Sequence, residues 1–207
     1  MIESSAIVLA GGRNSRMGYQ NKSFLKLGES NFIEIVLEKV KEFNDIIIVT
    51  NAPDEYEYLG IKIVKDIFPF TGPLGAIYTG LKYAKYDNSI IFPCDMPFVN
   101  HKLLEHIAKI AKGYDGVVPK VDGYYQPLCS AYSKKCIEIF GEGLKNGITK
   151  IIDLYPLMNI YYMTRKEIEQ YGNYDDMFIN INTPREYEKH IKEDLNGNRD
   201  MYCRKIK

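Results

Sequence analysis

A short apolar run, Ala6-Ile7-Val8-Leu9-Ala10, passes directly into Gly11-Gly12-Arg13-Asn14-Ser15-Arg16-Met17-Gly18, and Lys22 follows closely. Glycine lacks a Cβ, so main-chain N–H groups there can approach an anion, while Arg and Lys offset its charge. That combination can grip a polyphosphate, most simply that of a nucleotide. It differs from the commoner phosphate motifs. A P-loop needs Gly, four residues, then Gly-Lys-Ser/Thr, and no stretch supplies it. The G-x-G-x-x-G dinucleotide fingerprint is also missing. Gly11, Gly12 and Gly18 instead enclose a polar segment suited to a clamp over a triphosphate. The other reading is a simple turn after a strand, which has no need of Arg13, Arg16 and Lys22 together.

Carboxylates and amides stand at further strand ends. Ile90-Ile91-Phe92-Pro93-Cys94-Asp95-Met96-Pro97 sets Asp95 after an apolar run. An aspartate there can hold Mg²⁺ with few protein ligands, leaving the other positions to phosphate oxygens and water. It can also be a turn or cap residue before Pro97; the glycine loop on an earlier strand end favours the metal. Asp66 leads into Ile67-Phe68-Pro69-Phe70-Thr71-Gly72-Pro73-Leu74-Gly75, whose glycines admit a flat base or a ribose. Its carboxylate suits sugar hydroxyls or a guanine edge, or else caps the loop. Asn51 is a weaker candidate, because Asn-Ala-Pro is also a plain turn. Asn180 and Asn182 alternate with Ile179 and Ile181, which puts both amides on one face of a strand. They can orient phosphates or complete a metal shell through water, and Asn182 equally suits a turn before Thr183.

Positioning these residues requires strands and helices in alternation. Ala6–Ala10, Ile46–Thr50, Ile61–Val64 and Ile90–Pro93 are short and nearly all apolar, as expected of strands covered on both faces of a parallel sheet. Asn31 with Glu34 predicts a capping box, and Ile33, Val36, Leu37, Val40 and Phe43 follow at helical spacing. Leu74–Ala84 and the stretch around Leu103, Leu104, Ile107 and Ile110 predict two more helices. This order predicts an α/β, three-layer Rossmann-like sandwich with a mostly parallel sheet and its site at the strands' carboxyl ends. From about residue 114 an antiparallel excursion is expected, turning at Asp122-Gly123 and returning through Gln126–Tyr132, with a role in shaping an acceptor pocket. Helices are predicted over Lys134–Phe140 and Ile148–Tyr155, then a strand over Met177–Ile181 and a helix capped by Thr183 with Pro184 at its first position. Residues 1–195 are expected to form one domain, and 196–207 a polar, frayed tail.

The 207 residues suffice for a full core, and 27 basic residues balance 27 acidic ones. No global field draws the chain to nucleic acid or membrane, so phosphate binding must be local. No apolar run is long enough to span a bilayer, and no signal-type N-terminus is seen. The cysteines at 94, 129, 136 and 203 form no C-x-x-C pair and share no zinc-type spacing with His101, His106 or His190. They read as reduced and buried, Cys94 as packing, and the chain as cytoplasmic.

Leu9-Ala10-Gly11-Gly12 with Arg16-Met17-Gly18 and Lys22, then Gly72-Pro73-Leu74-Gly75 and Cys94-Asp95-Met96-Pro97, then Gln126-Pro127-Leu128 and Asn180-Ile181-Asn182-Thr183-Pro184, resemble the molybdenum cofactor guanylyltransferases. That family sits within the wider nucleotidyltransferases, and the resemblance runs from Ile7 to about Tyr187. It implies transfer of GMP from GTP to the phosphate of molybdopterin with release of pyrophosphate, and Mg²⁺ as cofactor. By it, Leu9, Ala10, Gly11, Gly12, Lys22, Asp66 and Asp95 bind the nucleotide, with Arg16, Lys22 and Asp95 carrying the chemistry. Asp95 is the metal ligand, and Asn180 and Asn182 face the phosphates or the pterin. GTP and molybdopterin are then the partners, with transient contact to cofactor-biosynthesis proteins or molybdoenzymes compatible with it. Two departures stand out: Asn21 where an acidic residue is usual, and Gly75-Ala76 where Ala-Gly is. Rival readings are cytidylyl or other nucleotidyl transfer to a pterin or sugar phosphate, and a non-catalytic GTP-binding protein.

Overall fold

The computed structural model describes residues 1–11, 21–181 and 186. Gly12, Arg13, Arg16 and Gly18 of the glycine loop, Asn182 with the Thr183–Pro184 helix start, and the 196–207 tail therefore lie outside the described residues.

In chain order the elements are β1 (Ile2–Leu9), a 3₁₀ turn (Lys22–Phe24), the two-residue pair β2 (Lys26–Leu27) and β3 (Ser30–Asn31), α1 (Phe32–Val40) and β4 (Phe43–Thr50). A 3₁₀ segment (Pro53–Leu59), β5 (Lys62–Lys65), α2 (Pro73–Tyr83), β6 (Asn88–Pro93) and α3 (His101–Ile110) follow. Next come β7 (Gly116–Val121), β8 (Tyr124–Tyr125), β9 (Ser130–Ser133), α4 (Cys136–Lys145), a 3₁₀ segment (Ile151–Leu157), β10 (Ile160–Met163), α5 (Arg165–Ile168) and α6 (Tyr174–Met177).

The main sheet runs β10-β7-β9-β6-β1-β4-β5, with β8 paired to β7 beside this path. β1 lies parallel between β4 and β6, with Leu9 opposite Val49 on one side and Pro93 on the other. β5 is parallel to β4 and β10 to β7, whereas β9 is antiparallel to both β6 and β7. The carboxyl ends of β5, β4, β1 and β6 thus share one edge, the place where an open α/β sheet forms its crevice.

Alternation along β1 divides the core into two. Ala6, Val8 and Ala10 pack with Ile33, Val36 and Val40 of α1 and Leu103, Leu104 and Ile107 of α3. Ile7 and Leu9 pack with Leu74, Ile77 and Leu81 of α2 and Phe140 and Leu144 of α4. Each such Val, Leu, Ile or Phe side chain, fully buried, contributes roughly 1.5–3 kcal/mol, which explains why these strands carry apolar residues at successive positions. The capping box forms as expected, with the Asn31 N–H donating to Glu34 Oε2 at 2.8 Å.

The excursion is real but differently wired. Asp122 (φ 51°) and Gly123 (φ 83°) make a left-handed two-residue turn joining β7 to β8. The expected return arm then splits at Gln126–Cys129, and Ser130–Ser133 becomes a full strand wedged between β6 and β7. Ile148–Tyr155 is not an α-helix but precedes and overlaps a 3₁₀ segment containing Pro156, because proline removes a helical donor and disfavours α geometry at Tyr155. Met177–Ile181 is not a strand. Asn173 caps α6 by accepting from the Asp176 N–H, Asp175 and Asp176 occupy its first turn, and Tyr174 stacks on Phe178 at 4.7 Å.

Candidate active site

A cleft of about 530 Å³ opens at the carboxyl edge of the sheet, a size common for small-molecule sites. Its floor is Leu9, Val49 and Pro93 from three adjacent strand ends. Gly11 and Lys22 stand on one side, Cys94 and Asp95 on the next, and Asp66, Phe70 and Gly72 on another, with Leu128 reaching in from the excursion. Asn51 also lines it. Lys22, Asp66 and Asp95, singled out from three separate segments, thus share one cavity with Leu9 and Gly11.

Ala10 does not line the cleft. The pleat sends Leu9 toward it and Ala10 into the opposite core. The Ala10 N–H is already bonded to the Val49 carbonyl at 3.0 Å. Asn180 is exposed and lies outside the lining residues, although the next residue's amide, Ile181 N–H, donates to the Asp95 carbonyl at 3.1 Å.

Asp95 is half-buried. Burial raises its pKa above the usual carboxylate value, and the nearby Lys22 ammonium opposes that rise. A carboxylate short of solvation at an open cleft is placed to hold a divalent cation. Cys94 is buried, its thiol pushed up to about 12 by desolvation, and it accepts from Ser23 Oγ at 3.2 Å. A thiol held so firmly neutral is packing, as the sequence suggested.

Asp66 Oδ1 accepts from the Phe68 N–H at 3.0 Å and from the Thr79 hydroxyl at 2.9 Å, while Thr79 Oγ1 accepts from the Ile67 N–H at 3.0 Å. The loop-capping reading of Asp66 therefore holds through Oδ1, while its place in the cleft lining leaves it in reach of a bound ligand. Beyond it, Phe70 adopts φ 71° and is 82% exposed at the cleft. The loop is braced by Thr71 Oγ1 donating to the Phe68 carbonyl at 2.6 Å.

Gly75 explains the inverted Gly-Ala order. A Cβ there would lie 2.2 Å from Thr71 Oγ1 and 2.7 Å from the Phe68 carbonyl oxygen. Gly75→Ala is expected to push the 68–71 backbone outward and destabilise the fold by about 1–3 kcal/mol. Thermal denaturation with nucleotide-binding titration checks this; a variant of wild-type stability and affinity would show the loop can yield.

Tyr56, Ser23 and Thr79 were not evident in the sequence. None belongs to a motif, and each acts through contacts 13 to 71 residues away. No described helix is long and apolar enough to cross a membrane.

A family model described as MobA-like NTP transferase domain matches residues 6–157. The chain is 38% identical over 200 residues to a probable molybdenum cofactor guanylyltransferase of Clostridium perfringens strain 13, covering 93% of this chain and 98% of that one. It is 33% identical over 187 residues to a molybdenum cofactor guanylyltransferase of Desulfosudis oleivorans, covering 89% and 93%. Among solved structures, molybdopterin-guanine dinucleotide biosynthesis protein A from Archaeoglobus fulgidus is similar, with TM-score 0.80 and 26% identity over 93% of this chain and 99% of that one.

Proposed function

The chain belongs to the MobA-like NTP transferase family, and we propose that it is a molybdenum cofactor guanylyltransferase, moving GMP from GTP to the phosphate of molybdopterin. The observation carrying this reading is one cleft at the carboxyl edge of the sheet that brings together Lys22 of the 3₁₀ turn, Asp66 just after β5 and Asp95 just after β6. Relatives named for that reaction, matched over nearly their whole length, support it.

In this reading the molybdopterin phosphate attacks the α-phosphorus of GTP and pyrophosphate leaves. The nucleophile is already an anion, so no general base is required. The site's task is to hold two anions in line and offset their repulsion. Leu9 and Gly11 bed the nucleotide, Asp66 meets its nucleoside, and Lys22 stabilises charge gathering on the departing pyrophosphate. The family resemblance further assigns Gly12 and Arg16 to the phosphates and Asn180 and Asn182 to the phosphates or the pterin; Gly12, Arg16 and Asn182 lie outside the described residues, and Asn180 outside the cleft lining.

Asp95 fits Mg²⁺. It offers a single desolvated carboxylate at an open cleft, and among the described residues no group of three His, Cys, Asp or Glu side chains forms a cage. This is the donor set of a hard cation that takes its other ligands from phosphate and water. When bound, Mg²⁺ would supply neutralisation of the α- and β-phosphate charge. Buried free thiols at Cys94, Cys129 and Cys136 suit a reducing, cytoplasmic setting.

Pyrophosphate release with GTP, CTP, UTP and ATP, each with molybdopterin or a sugar phosphate, tests the proposal. The expected result is turnover with GTP and molybdopterin exceeding any other pair by at least about tenfold, because a wrong base leaves hydrogen-bonding groups of the site unpaired. Preference for CTP, or for a sugar phosphate, would replace the assignment within the same family.

A further inference from the structure

A directed chain of hydrogen bonds lies behind the cleft. Asn21 Nδ2 donates to the Tyr56 hydroxyl at 2.9 Å, the Tyr56 hydroxyl lies 2.9 Å from Ser23 Oγ, and Ser23 Oγ donates to Cys94 Sγ at 3.2 Å. The Tyr56 hydroxyl also reaches the Ala10 carbonyl at 3.2 Å. One fully buried tyrosine therefore touches the end of β1, both sides of the Lys22 turn and, through Ser23, the residue before Asp95. Its ring rests against Phe24 with centroids 5.1 Å apart. Asn21 completes the assembly: its Oδ1 accepts from the Ser23 N–H at 3.1 Å and its Nδ2 donates to Glu55 Oε2 at 2.5 Å.

We infer that Tyr56 and the Asn21–Glu55 pair are positioning residues, fixing the Lys22 turn against the end of β1 and the Cys94-Asp95 segment that follows β6. Polar groups linked donor to acceptor in a buried site strengthen one another and specify one geometry. Lys22 lies between Asn21 and Ser23, the two residues that the tyrosine hydroxyl engages, so its backbone cannot move without breaking a bond on each side. Asn21 also acquires a reason. A carboxylate at that position would face Glu55 across 2.5 Å and could not donate to Tyr56. The amide here and the acid at 55 are a matched pair.

The role in transfer rests on the function proposed above, whereas the positioning is measurable without it. Tyr56→Phe keeps the ring and removes the hydroxyl. In the nucleotide-free protein the Phe24 and Leu25 amides, which donate across the turn to Asn21 and Lys22 carbonyls, should exchange with solvent faster than in wild type while strand amides do not. Protection of the Lys22 amine from acetylation by added GTP should weaken in parallel. With GTP and molybdopterin, kcat should fall about tenfold with KM for GTP changed less than about twofold, since a displaced group costs most in the transition state. Asn21→Asp should show the same pattern, and adding Glu55→Gln should restore most of the loss, since the new amide donates to the carboxylate at 21 and the Tyr56 hydroxyl can turn to donate to it as well. Unchanged exchange at Phe24 and Leu25 in Tyr56→Phe overturns the inference. So does a wild-type kcat despite faster exchange, or no rescue by Glu55→Gln. Should the wild-type protein transfer no guanylyl group, the proposed function falls, and exchange with acetylation still decides whether Tyr56 holds the turn.

Discussion

Asp95→Ala is expected to lower turnover by about a hundredfold to a thousandfold, the range seen when one preorganised charge partner of a transition state is lost. The expectation follows from where Asp95 sits. It lies two residues beyond β6, directly after Cys94, whose N–H is bonded to the Leu9 carbonyl at 3.1 Å, so β1 fixes its position. Burial already disfavours its charge, a penalty that a cation bound in the cleft would relieve. Removing the carboxylate deletes a desolvated charge, not an apolar contact. Melting temperature should therefore stay within a few degrees of wild type, and GTP should still bind without divalent metal. Steady-state pyrophosphate release with a thermal melt separates the two effects. Near wild-type turnover in the variant would remove Asp95 from the mechanism.

Lys22→Ala is the second large effect, with about 2–4 kcal/mol of transition-state stabilisation lost. Lys22 follows the Asn21 cap of its 3₁₀ turn and shares the cleft with Asp95. The two variants differ in pH response. The Lys22 ammonium lowers the Asp95 pKa against the rise caused by burial. Without it that pKa climbs further, Asp95 protonates at higher pH, and the acid limb of metal-dependent activity shifts upward. A rate at saturating GTP equal to wild type, with an unmoved acid limb, would exclude Lys22 from the chemistry.

Much of this was legible because strand ends announce themselves. Near-continuous apolar runs such as Ala6–Ala10 and Ile90–Pro93 occur where both faces are covered, and the first charged or bare residues after them stand at the sheet's carboxyl edge. Gly11 and Asp95 were singled out that way and Lys22 as a cation following the glycines, and all three line the cleft. Asp122-Gly123 was legible from turn chemistry, and Asn31 from its capping partner.

The failures have physical causes as well. The alternation from Phe178 to Ile181 imitates a strand, although Asn173 and two aspartates start a helix just before it. Pro156 turned an apparent α-helix into a tighter one. Ser130–Ser133 is recognisable as extended, yet no local pattern shows that it enters between β6 and β7. Tyr56 lies in a short acidic stretch without periodicity, and its value comes only from Ala10, Asn21 and Ser23 meeting around it.

The insertion of β9 between β6 and β7 has a consequence for how the chain assembles during synthesis. The strands ending at Pro93 already make a four-strand parallel unit carrying Leu9, Asp66 and Asp95, but its β6 flank is left with open backbone donors and acceptors. That flank stays unsatisfied until Ser130–Ser133 leaves the ribosome, and β7, made earlier, must wait for the same segment. An unpaired strand edge invites association with other chains. A nascent chain halted before Ser130 should therefore be more aggregation-prone than one released after it, the late arrival of four residues deciding when the product becomes safe.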